Sequence, residues 1–147
     1  MIEHRSHIEF RVPFFDVDSM HIAWHGHYAK YFELARCQLL EDLGHDYDAM
    51  AASGFSWPVV DLRVRYMRSL TFKQWVRVTA TLKQWDQQLR IAYRLRDRDS
   101  GTSLARGSTL QVPVAIESGQ RYPGTPAAVR EALARFAERS KKAEPNR

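Results

Sequence analysis

The chain has 147 residues, of which 44% are apolar and 27% charged, a size that suits one compact domain with a core of its own and no reliance on disulfides or metals. No run approaches the roughly 18 apolar residues that would cross a bilayer, and charges interrupt the first twenty residues too often for a secretory leader, so the expected location is the cytoplasm. A net charge of +5 and a pI near 9.6 favour anionic partners, whether nucleic acid, a membrane surface or a phosphate-bearing small molecule, without choosing among them.

Residues 8–15 (IEFRVPFF) are rich in β-formers and predict a first strand, with Pro13 marking an edge or an end. The stretch DVDSMHIAWHG that follows has no clean period and is crowded with polar and special residues, which suits a functional loop. A helix is predicted over residues 27–43, because Tyr28, Phe32, Ala35, Leu39 and Leu43 recur at spacings of three and four. Tyr31, Leu34 and Leu40 widen that stripe until it nearly encircles the helix, which therefore wants burial on most sides. Cys37 falls inside this pattern and reads as a small buried hydrophobe rather than a nucleophile. Gly44 is placed to cap the helix end, and residues 46–54 form either a short second helix or an irregular loop.

Four β segments then follow over residues 60–66, 76–82, 89–96 and 102–115, each alternating apolar and polar side chains, with Asp99-Ser100-Gly101 as a hairpin turn. Thr125 and Pro126 look like the cap and first position of a C-terminal helix carrying Val129, Leu133 and Phe136. Residues 1–139 are expected to make the single domain, and residues 140–147 a solvated polar tail. The order strand, long apolar helix, four strands predicts an α+β fold in which a sheet of about five antiparallel strands wraps one helix. An open wrap leaves an edge strand, for which pairing with a second copy is a natural completion.

The chemistry is concentrated between Asp16 and Tyr28. The segment reads DxDxxxIxxHxxY directly before the apolar helix, and RYxRxL recurs downstream as Arg65-Tyr66-Met67-Arg68-Ser69-Leu70. With its upstream aromatic strand, this combination resembles the 4-hydroxybenzoyl-CoA thioesterase family of hotdog proteins over about residues 8 to 115. The resemblance implies a central helix wrapped by an antiparallel sheet, homodimers with active sites at the subunit interface and often homotetramers, an acyl-CoA or acyl-carrier-protein substrate, and hydrolysis without a cofactor.

By the same resemblance the second aspartate of DxD, Asp18, is the catalytic carboxylate, acting as nucleophile or general base. The peptide N–H of His25 polarises the thioester carbonyl, and the His25 side chain borders the site. A helix N-terminus is physically suited to that task, since its unpaired N–H groups are fixed donors aimed at one point. An aspartate ahead of a helix is by itself commonly a cap or turn former; the surrounding pattern is what directs Asp18 towards chemistry. Asp16 reads as readily as a turn or hydrogen-bonding residue as a catalytic one, and Tyr28 is either core packing or part of the substrate wall. His21 stands where relatives usually carry glycine for a tight turn, which leaves the loop geometry open and adds an imidazole to the candidate substrate contacts. Arg68 and Lys73 are the candidates for gripping coenzyme A phosphates, although most arginines on the polar strand faces only solvate the sheet.

Three other readings use the same residues. Asp16 and His21 reproduce the Asp-x4-His spacing of hotdog hydratases, but His27 stands where that pattern continues to Asn. His21, His25 and His27 with Asp18 supply metal-ligand types, yet spacings of four and two suit different elements, so no metal site is expected. A non-catalytic binder of polyanions would account for the charge, but no basic cluster or nucleic-acid motif appears, and no nucleic-acid partner is expected.

Overall fold

The computed structural model of the chain describes residues 4–143. Its strands are β1 (Arg5–Arg11), β2 (Phe55–Ser56), β3 (Val59–Tyr66), β4 (Trp75–Gln84), β5 (Leu89–Asp97), β6 (Ser103–Gln111) and β7 (Val114–Ala115), and its helices are α1 (Tyr28–Asp42), α2 (Tyr47–Ala52) and α3 (Ala127–Ala143). Five strands make one sheet in the order β1-β4-β5-β6-β3, antiparallel at every junction, while β2 and β7 pair separately. This is the α+β arrangement that the alternation predicts. No helix among the described residues is long and apolar enough to cross a membrane.

Alternation places Val76, Val78, Ala80 and Leu82 of β4 and Leu89, Ile91, Tyr93 and Leu95 of β5 on the inner face, all buried under α1. Phe32 of α1 stacks on Tyr93 with ring centroids 4.6 Å apart and planes 7° apart. Gly107 makes that approach possible, because a Cβ there would stand 2.5 Å from Phe32 Cε2 and 2.3 Å from the Arg63 carbonyl oxygen. The apolar stripe of α1 is narrower than its sequence suggests: Tyr28, Tyr31, Phe32, Ala35, Leu39 and Leu40 are buried, but Leu34 remains exposed.

The first strand ends at Arg11, four residues before the predicted limit. Pro13 has no N–H for a ladder, so the Val12 N–H is the last to be bonded, to the Gln74 carbonyl at 2.9 Å, and Phe14–Asp16 curls into a 3₁₀ turn. At the other edge of the sheet, β3 touches α1 at few places, Tyr66 against Tyr28 among them, because α1 packs chiefly on β1 and β4. Val59, Val60, Leu62 and Tyr66 are consequently exposed although they carry a strand-like alternation.

Gly44, at φ +73°, closes α1 with its N–H on the Glu41 carbonyl, and Asp46 caps α2 through the Ala49 N–H at 2.9 Å. Thr125 does not cap α3. Its hydroxyl accepts the Gln87 N–H and donates to Asp86 Oδ1, both at 2.8 Å, and so fastens the helix start to the β4–β5 turn. The helix itself continues to Ala143, past the point where the polar tail was expected to begin, and residues 144–147 of that tail lie outside the described residues.

The outer face of the sheet is basic. Arg94 stands opposite Arg106, and Arg106 opposite Arg65, so three guanidinium-bearing residues occupy consecutive cross-strand positions. With Arg63 and Lys83 they border a concavity of about 410 Å³.

Candidate active site

The segment between β1 and α1 folds as a small closed loop. Asp16 is 2% exposed, and its carboxylate accepts the Tyr31 hydroxyl and the Lys30 ammonium of α1, each at 2.7 Å. Burial alone would push this carboxyl up, but the hydrogen bonds from Lys30 and Tyr31 outweigh it and hold the group below the usual aspartate range. The Asp16 carbonyl then accepts the Trp24 N–H at 3.0 Å, and Val17 bridges Ala23, which draws the intervening residues into a hairpin with Asp18 near its tip. The Asp18 N–H donates to the Ile22 carbonyl at 2.9 Å and the His21 N–H to the Asp18 carbonyl at 3.0 Å. Bridging of Ile22 to Thr71 and an Ala23 N–H bond to the Leu70 carbonyl anchor the hairpin to the β3–β4 connection.

His21 adopts φ +64°. The left-handed turn for which glycine is suited is therefore kept, with the imidazole exposed and outside the cleft. Asp18 is half-buried; its Oδ1 accepts the Met20 N–H at 2.8 Å, and Oδ2 has no partner among the described residues.

Asp18 opens onto a cleft of about 320 Å³ whose walls include Ile22, His25, Tyr28, Tyr66 and Arg68. Across it begins the helix, preceded by a 3₁₀ turn at His25–His27. The His27 N–H bonds back to the Trp24 carbonyl at 3.0 Å, whereas the N–H groups of His25 and Gly26 have no acceptor among the described residues, as befits the first donors of a helical turn. Gly26 is packed beneath the Trp24 indole so closely that a Cβ would stand 2.2 Å from the ring. Tyr28 is buried, and burial pushes its pKa up; it is core and cleft wall at once.

Tyr66, at the end of β3, was only one letter of the downstream motif, yet its hydroxyl donates to the His25 carbonyl at 2.6 Å and its ring meets Tyr28 edge-on at 4.7 Å. Beyond it the N–H groups of Met67 and Arg68 both reach the Leu104 carbonyl at 3.0 Å, turning the chain along the cleft. Arg68 lines this cleft. Lys73 does not: it adopts φ +69° in the connection to β4, with its ammonium 5.3 Å from the centroid of the Phe72 ring.

The other constellations read from the sequence are not brought together. Asp16 is turned into α1, His21 is exposed, and neither lines the cleft, so a hydratase dyad is not assembled there. His27 lies 3.8 Å from Asp16, and His25 faces Tyr66 at 6.3 Å between rings, so the histidines diverge. The larger concavity on the outer sheet face contains cations but no carboxylate. The cleft is lined by both Asp18, which has an unpartnered carboxylate oxygen, and His25, which has an unpaired N–H.

Comparison with known proteins bears on the family and the fold. A family model described as the thioesterase-like superfamily matches residues 12–135. YneP of Bacillus subtilis, provisionally named an acyl-CoA thioesterase, is 33% identical over 82 residues, 56% of this chain and 56% of its own. The matched segment thus spans only about half the length of that curated relative. Among solved structures, a Thermus thermophilus protein of unassigned function, TT1821, is 30% identical and superposes with a TM-score of 0.76 over 89% of this chain and 98% of its own. DHNA-CoA thioesterase from Staphylococcus aureus superposes with a TM-score of 0.79 at 23% identity over 97% of each chain, which shows the shared hotdog fold.

Proposed function

The chain belongs to the thioesterase-like superfamily, and on that premise we propose that it hydrolyses the thioester of an acyl-CoA or acyl-carrier-protein, with Asp18 as the catalytic carboxylate and the His25 N–H as the carbonyl donor. The observation that carries the reading is the meeting of Asp18 Oδ2, free of internal hydrogen bonds, with the unpaired N–H of His25 on one cleft. A thioester carbonyl set between them gains negative charge on oxygen as it becomes tetrahedral, and a fixed peptide donor stabilises that charge by about 2.7–4 kcal/mol. The carboxylate supplies the electron pair, by direct attack on the carbonyl carbon or by taking a proton from water. In either route one water is consumed, the acyl group leaves as the free acid and the thiol leaves with a proton. Arg68 at the cleft wall is placed to meet an anionic part of the substrate.

The test is thiol release from a panel of aromatic and fatty acyl-CoA and acyl-carrier-protein thioesters by the wild type and by Asp18→Asn. The Asn variant is expected to retain its melting temperature and to lose turnover by about 10²-fold or more. Normal turnover by that variant would remove Asp18 from the mechanism. A single turnover in ¹⁸O-water separates the two routes: general-base catalysis puts the label in the product acid, whereas attack by Asp18 followed by hydrolysis at the aspartyl carbonyl puts it in the enzyme.

A further inference from the structure

The geometry points to Tyr66 as a positioning residue that holds the aim of the His25 peptide donor through the backbone of His25, a role that rests on the thioesterase reading above. Two peptide planes meet at the His25 Cα. The plane before it contains the Trp24 carbonyl and the His25 N–H, and is tied by the His27 N–H at 3.0 Å. That tie lies inside a three-residue 3₁₀ turn, whose hydrogen-bond geometry is poorer than that of an α-helix. The plane after it contains the His25 carbonyl, and is tied by the Tyr66 hydroxyl at 2.6 Å, from a residue 41 positions away at the end of β3.

With both planes fixed, His25 cannot rock about its own φ and ψ, and its N–H keeps one direction relative to Asp18. An oxyanion donor needs that constancy, because a pre-aimed dipole stabilises charge only where the charge develops. The position of Tyr66 adds to the case. It is 46% exposed and borders the cleft, so its hydroxyl has water within reach, yet it is spent on a main-chain carbonyl of the catalytic turn. Its ring is held independently, edge-on to Tyr28 at 4.7 Å and to His25 at 6.3 Å. The hydroxyl is therefore separable from the packing, and Tyr66→Phe removes one hydrogen bond while keeping both ring contacts.

The experiment compares wild type, Tyr66→Phe and Asp18→Asn on the best thioester of the panel. A second measurement uses the non-hydrolysable ketone analogue of that thioester, in which CH₂ replaces sulfur, and records the infrared carbonyl band of the bound molecule. Tyr66→Phe is expected to lower kcat about tenfold with KM within twofold of wild type and an unchanged melting temperature. The bound carbonyl band should move back towards its frequency in water, since a misaimed donor polarises it less. An unchanged kcat, a raised KM at constant kcat, or a lowered kcat with an unmoved carbonyl band would each overturn the assignment, the second by making Tyr66 a direct substrate contact and the third by making its role merely structural. Failure of the wild type to release thiol from any panel member would instead overturn the thioesterase reading itself. An active wild type with an inactive Asp18→Asn and an unimpaired Tyr66→Phe would overturn the role of Tyr66 alone.

Discussion

Asp16 and Asp18 are two residues apart and carry the same side chain, but their surroundings assign them opposite tasks. Asp16 spends both oxygens on Tyr31 and Lys30 and staples the loop to α1, while Asp18 leaves one oxygen unengaged at the cleft. Asp16→Ala would strand the Tyr31 hydroxyl in the interior and is expected to destabilise the fold by about 1–3 kcal/mol in chemical denaturation. Because the folded-state carboxyl of Asp16 lies below the ordinary aspartate value, its contribution is complete above that value and is lost as the pH falls through and below it. Melting temperatures taken between pH 7 and pH 3 should show this loss in the wild type and less of it in Asp16→Asn; parallel curves would count against the staple. The sequence singled out Asp18 as a candidate because the pattern around it is dense. It left Asp16 ambiguous because its partners Lys30 and Tyr31 lie a helical turn into α1, and it offered His21 and Lys73 as substrate contacts because nothing in a residue's identity records that its φ is positive.

At the scale of elements, α1 and the inner sheet face were readable from periodicity alone, since the apolar positions of β4 and β5 alternate without interruption. What periodicity does not carry is which element covers a given face, so the bareness of β3 and of Leu34 was not visible in advance. Nor does it reveal close approaches such as the one at Gly107, where backbone and an aromatic ring leave no room for a methyl group. Gly107→Ala forces either Phe32 off Tyr93 or β3 away from β6, and overpacking of this kind typically costs about 1–3 kcal/mol. Urea unfolding should show that loss; a variant as stable as wild type would mean that the Phe32–Tyr93 stack tolerates displacement. Because Phe32 sits one turn beyond Tyr28 on the same helix, the variant should also lower turnover in the thioesterase assay through a shifted helix start.

For the whole molecule, the free edge is the dominant feature. Among the described residues β3 has β6 on one side and no strand on the other, as β1 has only β4, and it is β3 that presents Val59, Val60, Leu62 and Tyr66 to solvent. Exposed edges with apolar side chains are templates for pairing, so light scattering is expected to give at least twice the 17.1 kDa chain mass. A monomer at micromolar concentration would show that the edge is tolerated bare. The opposite character of the two sheet faces has a consequence of its own. Tyr66 looks into the cleft from β3, while its neighbour Arg65 joins Arg106 and Arg94 on the reverse side. A cluster of positive charge thus stands on the sheet face opposite the one from which Tyr66 borders the cleft. Adsorbed to a negatively charged bead the molecule would settle on its arginine-bearing back, with the mouth of the cleft left facing the solution and open to small molecules diffusing past.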